Sequence, residues 1–227
     1  MQRLILIILN FLALSSTVVQ ARPLVISGTL DLRGQNLDTS LIMKGDWEFR
    51  WQELRDPMSW SQAPDPVAVL MVPGHWYQDK RVNHTPFGFG TYRVRVLVDR
   101  LEPIALRWPE FWSAARIFVD GQLAASYGVL GTDPSTFKAG TGVDWLVFVP
   151  RATTFDVIIQ VSNFSVFMAG ISTAPVIGTP KAVMGQRDRD MALDLVIIGA
   201  LLIIGIYHLG LYVLRMEDRS TLWFGIM

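Results

Sequence analysis

Ile117-Phe118-Val119-Asp120-Gly121-Gln122-Leu123-Ala124-Ala125 reads as a β-hairpin. Two apolar runs meet at Asp-Gly, and a two-residue type I′ turn needs positive φ at both central positions. Aspartate tolerates that conformation and glycine adopts it freely. A hairpin here commits the surrounding chain to antiparallel sheet.

The same two-residue period runs outward in both directions. Trp47, Phe49 and Trp51 alternate with Glu48 and Arg50. Tyr92, Val94, Val96 and Val98 alternate with Arg93, Arg95 and Leu97. Ile104, Leu106 and Trp108 alternate with Ala105 and Arg107, and Phe155, Val157, Ile159 and Val161 with Asp156, Ile158 and Gln160. Each pattern gives a strand with one buried face. Pro73-Gly74, Pro86-Phe87-Gly88 and Gly140-Thr141-Gly142 punctuate the series. No long amphipathic helix interrupts it, so the fold expected for 22–180 is an all-β sandwich or jelly roll.

Both ends of the chain are apolar. Arg3, the apolar run 4–14 and Val19-Gln20-Ala21 form a signal peptide over 1–21, cleaved after Ala21; an uncleaved anchor is the alternative. The segment 195–214 is apolar on every face and long enough, at ~1.5 Å per residue, to cross a hydrocarbon core. A transmembrane α-helix is therefore expected over 191–214, after a juxtamembrane linker at 181–190. Arginines lie close to both ends of this segment, so charge does not orient it. Export by the leader puts the β-domain outside the cytoplasm and 215–227 inside, as a turn whose apolar end is either an interfacial tail anchored by Trp223 or the start of a second membrane helix. His208 would either bond to another helix or reach the interface.

Composition excludes several functions. Twenty basic and twenty acidic side chains balance, which gives no electrostatic reason to expect nucleic acid as a partner. Cysteine is absent, so no disulfide or thiolate metal site can form. His75, His84 and His208 are too few and too separated for a metal centre. Neither a nucleophile elbow nor a facing pair of carboxylates can be picked out, so no catalytic residue and no cofactor are expected.

Several motifs follow one another in a telling order. Gly45-Asp46-Trp47-Glu48-Phe49-Arg50-Trp51 precedes Val72-Pro73-Gly74-His75-Trp76 and Gly88-Phe89-Gly90-Thr91-Tyr92-Arg93. Ser113-Ala114-Ala115-Arg116-Ile117-Phe118-Val119-Asp120-Gly121 leads to Gly128 and Gly131, and then to Val161-Ser162-Asn163-Phe164. This order resembles the sugar-binding, galactose-binding-like jelly roll of family 2 glycoside hydrolases. It is more similar still to the ectodomain of bacterial seven-transmembrane receptors with diverse intracellular signalling modules. Gly205-Ile206-Tyr207-His208-Leu209 resembles the first membrane helix of those receptors. The resemblance implies a ligand-binding ectodomain at the bacterial inner membrane, in the periplasm or outside the cell. It implies a small-molecule ligand, carbohydrate among the candidates, and six further helices with a cytoplasmic output module beyond Met227. A protein-docking envelope domain and a non-catalytic sugar-binding fragment of a glycosidase are the alternatives. Lipid contact through the helix is expected, and a homodimer is left open.

The ligand-binding candidates are His75, Trp76, Tyr77, Arg93, Trp112, Arg116 and Asn163. His75, Trp76 and Tyr77 follow a Pro-Gly turn, and Trp112 sits in a loop between strands, where binding residues concentrate. An aromatic ring can lie against the C–H face of a sugar while polar neighbours bond its hydroxyls. For Trp76 and Trp112 the residue type favours capping of the core over ligand contact. Arg93 and Arg116 fall on the polar faces of strands, where most arginines are solvated. Asn163, ending a strand, suits a turn cap better than a pocket.

Overall fold

The computed structural model describes residues 24–60, 68–79, 85–142 and 144–214. The expected leader at 1–21 and the segment 215–227 lie outside the described residues. In chain order the strands are β1 (Val25–Ile26), β2 (Thr29–Asp31), β3 (Leu41–Ile42), β4 (Gly45–Trp51), β5 (Ala68–Val72), β6 (Gly74–His75) and β7 (Gly88–Leu97). They continue as β8 (Ile104–Trp108), β9 (Ala114–Val119), β10 (Gln122–Tyr127), β11 (Asp144–Phe148), β12 (Thr154–Asn163), β13 (Gly170–Ile171) and β14 (Val176–Gly178). One short helix, α1 (Pro57–Trp60), lies among them, and a long helix, α2 (Pro180–Leu214), follows.

An eight-stranded sheet has the order β10-β9-β12-β7-β2-β1-β4-β5, and β7 also pairs with β4. A four-stranded sheet has the order β11-β8-β14-β3, and β13 pairs with β6 at the margin. The all-β class followed by an apolar helix is thus the observed one. Asp120 and Gly121 both have positive φ and close the β9–β10 hairpin, as the turn chemistry requires. Gly45 is obligatory for a different reason: a Cβ there would lie 2.1 Å from the Val25 carbonyl oxygen across the parallel β1–β4 pair.

The inward faces of both sheets share one core. Trp47 and Phe49 of β4, Tyr92, Val94 and Val96 of β7, and Ile159 and Val161 of β12 meet Ile104, Leu106 and Trp108 of β8. Phe49 and Tyr92 pack with ring centroids 4.5 Å apart. Trp51, in phase with them on β4, is half-buried.

The outward face of the large sheet departs from expectation. Arg93, expected in solvent, is only 7 % exposed, and Ile158, Gln160 and Ser162 are buried beside it. Two distant segments cover that face. Trp60 of α1 lies under the guanidiniums of Arg50 and Arg93, 5.4 and 5.5 Å from its ring. The loop at 131–137 is held by hydrogen bonding between Ser162 and both backbone groups of Gly131, and by an edge contact of Phe137 with Phe164.

The expected linker at 181–190 is helical. Thr179 caps α2, its Oγ1 accepting from the Ala182 amide at 3.3 Å, and Pro180 takes the first helical position, where its missing N–H costs nothing. The first turns are fastened to the small sheet. Val183 is buried against Gly178, Ser40 Oγ bonds to Gln186, and Arg107 lies 3.8 Å from Asp190. Further along, the helix is apolar and unburied; over Pro180–Val213 it is long and apolar enough to cross a membrane.

Candidate functional site

Four of the seven candidate residues converge where β6, the 3₁₀ turn Trp76–Gln78 and the ends of β7 and β12 meet. Trp76 has no exposed surface. Its ring stands edge-on to Trp51 at 5.3 Å, and its indole Nε1 donates to the Pro86 carbonyl at 3.2 Å. Asn163 Nδ2 donates to that same carbonyl at 2.9 Å and to Val166 O at 2.6 Å, while its Oδ1 accepts from the Val166 amide. Asn163 therefore acts as a buried clamp joining the β12–β13 connection to the segment before β7.

The neighbouring backbone completes the frame. His75 pairs with Gly170 across β6–β13, and the Trp76 amide donates to Ala169 O at 3.3 Å. His75 Nδ1 lies 3.2 Å from that oxygen, which orients the imidazole. The ring of Tyr77 stacks on His75 at 5.4 Å, the planes inclined by 13°. Burial pushes the Tyr92 phenol far above its ordinary pKa, only partly offset by a backbone hydrogen bond from Ile171, so this hydroxyl stays protonated.

Beside this frame lies a cleft of about 380 Å³, within the range of small-ligand pockets (roughly 300–1,000 Å³). Leu70, Met71 and Pro73 form one wall, and His75, Gln78 and Asp79 bring polar side chains to the other. An imidazole, an amide and a carboxylate around an apolar wall can bond a polyhydroxylated ligand. The rings of Trp76 and Tyr92 underlie the cleft but are too buried to stack flat on a ligand.

The other three candidates lie elsewhere. Arg93 is committed to structure: it donates to Glu48 at 2.7 Å and to Asp156 at 2.9 Å. Arg116 is exposed on the outward face of β9, opposite Gln160 of β12. Trp112 is 59 % exposed, while Phe111 takes the buried place that an aromatic capping the core would fill. Gln78, Asp79 and Tyr92 line the cleft and were missed. The first two continue the run His75-Trp76-Tyr77, and polar residues directly after an aromatic turn were the available signal. Among the described residues no group of three His, Asp or Glu side chains is placed to hold a metal ion.

Asn163→Ala is expected to destabilise the protein by about 2 kcal/mol, because the half-buried Val166 carbonyl and amide lose their partner and a buried side chain is truncated. Urea unfolding measures it, and Asn163→Asp should recover little, since a carboxylate cannot donate to Pro86 O.

No protein-family model matches the chain, and no curated protein matches it. Among solved structures, the chain is similar to a β-glucuronidase from Faecalibacterium prausnitzii, at 15 % identity and a TM-score of 0.46, over 63 % of this chain and 31 % of that one. It is similar to a family 2 β-galacturonidase from Eisenbergiella tayi, at 16 % identity and a TM-score of 0.43, over 62 % and 24 % of the two chains. A family 2 glycosyl hydrolase from Bacteroides cellulosilyticus gives 16 % identity and a TM-score of 0.47, over 62 % and 20 %. The chain thus spans less than a third of the length of each of these enzymes.

Proposed function

We propose that the chain is the sensory ectodomain of a bacterial membrane receptor, together with its first membrane helix. Outside the cytoplasm its β-sandwich binds a small ligand, with carbohydrate the leading class, in the cleft beside His75. The helix then carries the signal to the seven-helix membrane part and output module implied by the motif order. The observation that carries this reading is the joint. The small sheet passes into α2 through one capped residue, Thr179, and grips the next turns at Val183, Gln186 and Asp190. A mere anchor has no need of so stiff a connection. A ligand that favours one of two sandwich conformations shifts the helix by its difference in affinity for them.

Full-length protein in nanodiscs, screened with carbohydrates and cell-wall fragments, tests it. A ligand at one hundred times its Kd should stabilise the protein by about 2.7 kcal/mol. His75→Ala should weaken that binding at least tenfold, read by calorimetry. If every ligand leaves the melting temperature unchanged, the sensor reading fails.

A second reading has one observation in its favour. Edge strand β11 exposes Trp145 and Val147, and Val149 follows them, an apolar row suited to a protein partner. Under that reading an envelope protein docks on the strand, and crosslinks placed at position 147 would recover it in cells.

A further inference from the structure

α2 does not leave the sandwich by the end at which it starts. β14 runs along the small sheet from Val176, paired with Arg107, to Gly178, paired with Ala105. The helix begins directly afterwards, seats Val183 on Gly178, and by Asp190 has come within 3.8 Å of Arg107. It therefore doubles back over β8 and β14, antiparallel to β14, and passes out at the end where β8 finishes. Its unbroken apolar stretch opens at Leu195, just after Asp194. From Asp190 to Leu195 is ~7.5 Å of helix. The same advance from Arg107 along β8, at ~3.3 Å per residue, ends near Pro109. The edge of the apolar stretch is thus level with the loop 109–113.

That end of the sandwich holds aromatic side chains out in water. Trp112 stands exposed in the loop 109–113. Phe167 and Met168, in the connection after β12, are 76 and 60 % exposed. Phe87, just before β7, packs on Phe167 with ring centroids 5.7 Å apart. The three segments share one end, since Asn163 of β12 pairs with Gly88 of β7, and Ser162 with Ala114 of β9. Trp112, Phe87 and Phe167 do not line the cleft at His75. At the opposite end the loops 98–103 and 149–153 contain no aromatic residue, and Asp99, Arg100 and Glu102 crowd the first of them. Exposed apolar patches mark contact surfaces, and aromatic rings favour the boundary between water and hydrocarbon.

From these two observations we infer that the loop tips holding Trp112 and the Phe87–Phe167 pair rest in the headgroup layer of the bilayer that α2 enters. The sandwich leans on the membrane with its aromatic end, and the start of α2 lies at the far end, away from the lipid. The inference rests on α2 crossing a bilayer and not on what the cleft binds.

The natural chain has no cysteine, so a single introduced one carries a label at one known place. Trp112→Cys, Phe167→Cys, Leu101→Cys and Ile203→Cys are made in the full-length protein, labelled with nitrobenzoxadiazole and placed in phosphatidylcholine nanodiscs. Two quenchers are read against each other: iodide in the water, and a phosphatidylcholine with a nitroxide high on its acyl chain. Labels at 112 and 167 should be quenched by the lipid nitroxide and protected from iodide at least threefold relative to 101. The label at 101, at the opposite end, should meet iodide alone. Iodide reaching 112 or 167 as freely as 101 overturns the inference. So does shielding of either from both quenchers, which indicates a protein contact, and so does lipid quenching at 101. The label at 203 separates the two readings. If lipid does not quench it, the membrane reading of α2 falls and takes this inference with it. If lipid quenches 203 while 112 and 167 stay in water, only this inference falls, and sugar binding in the cleft is untouched.

Discussion

Trp76→Ala is expected to cost about 4 kcal/mol of stability and, under the proposed function, to abolish binding in the cleft, which its buried ring underlies. Truncating a buried Trp loses its transfer energy and leaves a cavity, together worth about 3–5 kcal/mol. Trp76 has no exposed surface and touches Phe49 and Trp51, so little collapse is available to fill the void. The Pro86 carbonyl also loses one of its two donors, and the wall of the cleft falls in. Trp76→Phe separates these effects. It keeps most of the apolar contact and loses the indole donor, so about 1–2 kcal/mol is expected. Urea unfolding of both variants gives the stabilities, and calorimetry on the phenylalanine variant, which stays folded, reports the binding. Equal losses in the two variants would mean that the indole N–H, not the ring volume, holds this corner together.

Arg93→Ala should cost about 3 kcal/mol. The guanidinium bridges Glu48 of β4 and Asp156 of β12 across the middle strand, at 2.7 and 2.9 Å, and lies over Trp60. Breaking a buried pair typically costs about 3–5 kcal/mol; here the loss of Arg93 strands Glu48, while Asp156 keeps Arg95 at 3.3 Å. Both carboxylates retain some water, with side chains 24 and 31 % exposed, which places the expectation at the lower end of that range. The double variant Arg93→Met with Glu48→Gln should recover part of the loss by removing a stranded charge. A cycle over Arg93→Met, Glu48→Gln and the double variant measures the coupling, and additive losses would show that the bridge contributes nothing.

The strands were legible because a half-buried strand writes its pleat into the sequence. Trp47 and Phe49, Tyr92, Val94 and Val96, and Phe155 through Val161 carry that signal without interruption. The Asp120-Gly121 turn was legible because its φ angles restrict the residues that fit. Burial of Arg93, Ile158 and Gln160 was not legible. It depends on α1 and the loop at 131–137, which reach that face from elsewhere in the chain, and alternation along one strand says nothing about what lies over its outer side. The helical start at Thr179-Pro180 was written in the sequence as a capping residue before a first-turn proline. The density of glycine and proline across 170–185 outweighed it and suggested a linker. For the site, neighbours in sequence were found and neighbours in space were not. His75, Trp76 and Tyr77 share one turn, whereas the clamp from Asn163 to Pro86 exists only because β7 and β12 pair along their whole length.

A rod gripped at one end turns small rotations into large displacements. The stretch of α2 beyond Asp190 is roughly 35 Å long at 1.5 Å per residue. A rocking of about 5° about Asp190 would therefore carry its far tip sideways by about 3 Å, more than half the spacing between adjacent turns of a helix. Under the proposed receptor reading, a signal at the distant end would thus require no rearrangement inside the sandwich larger than the thermal play of a loop.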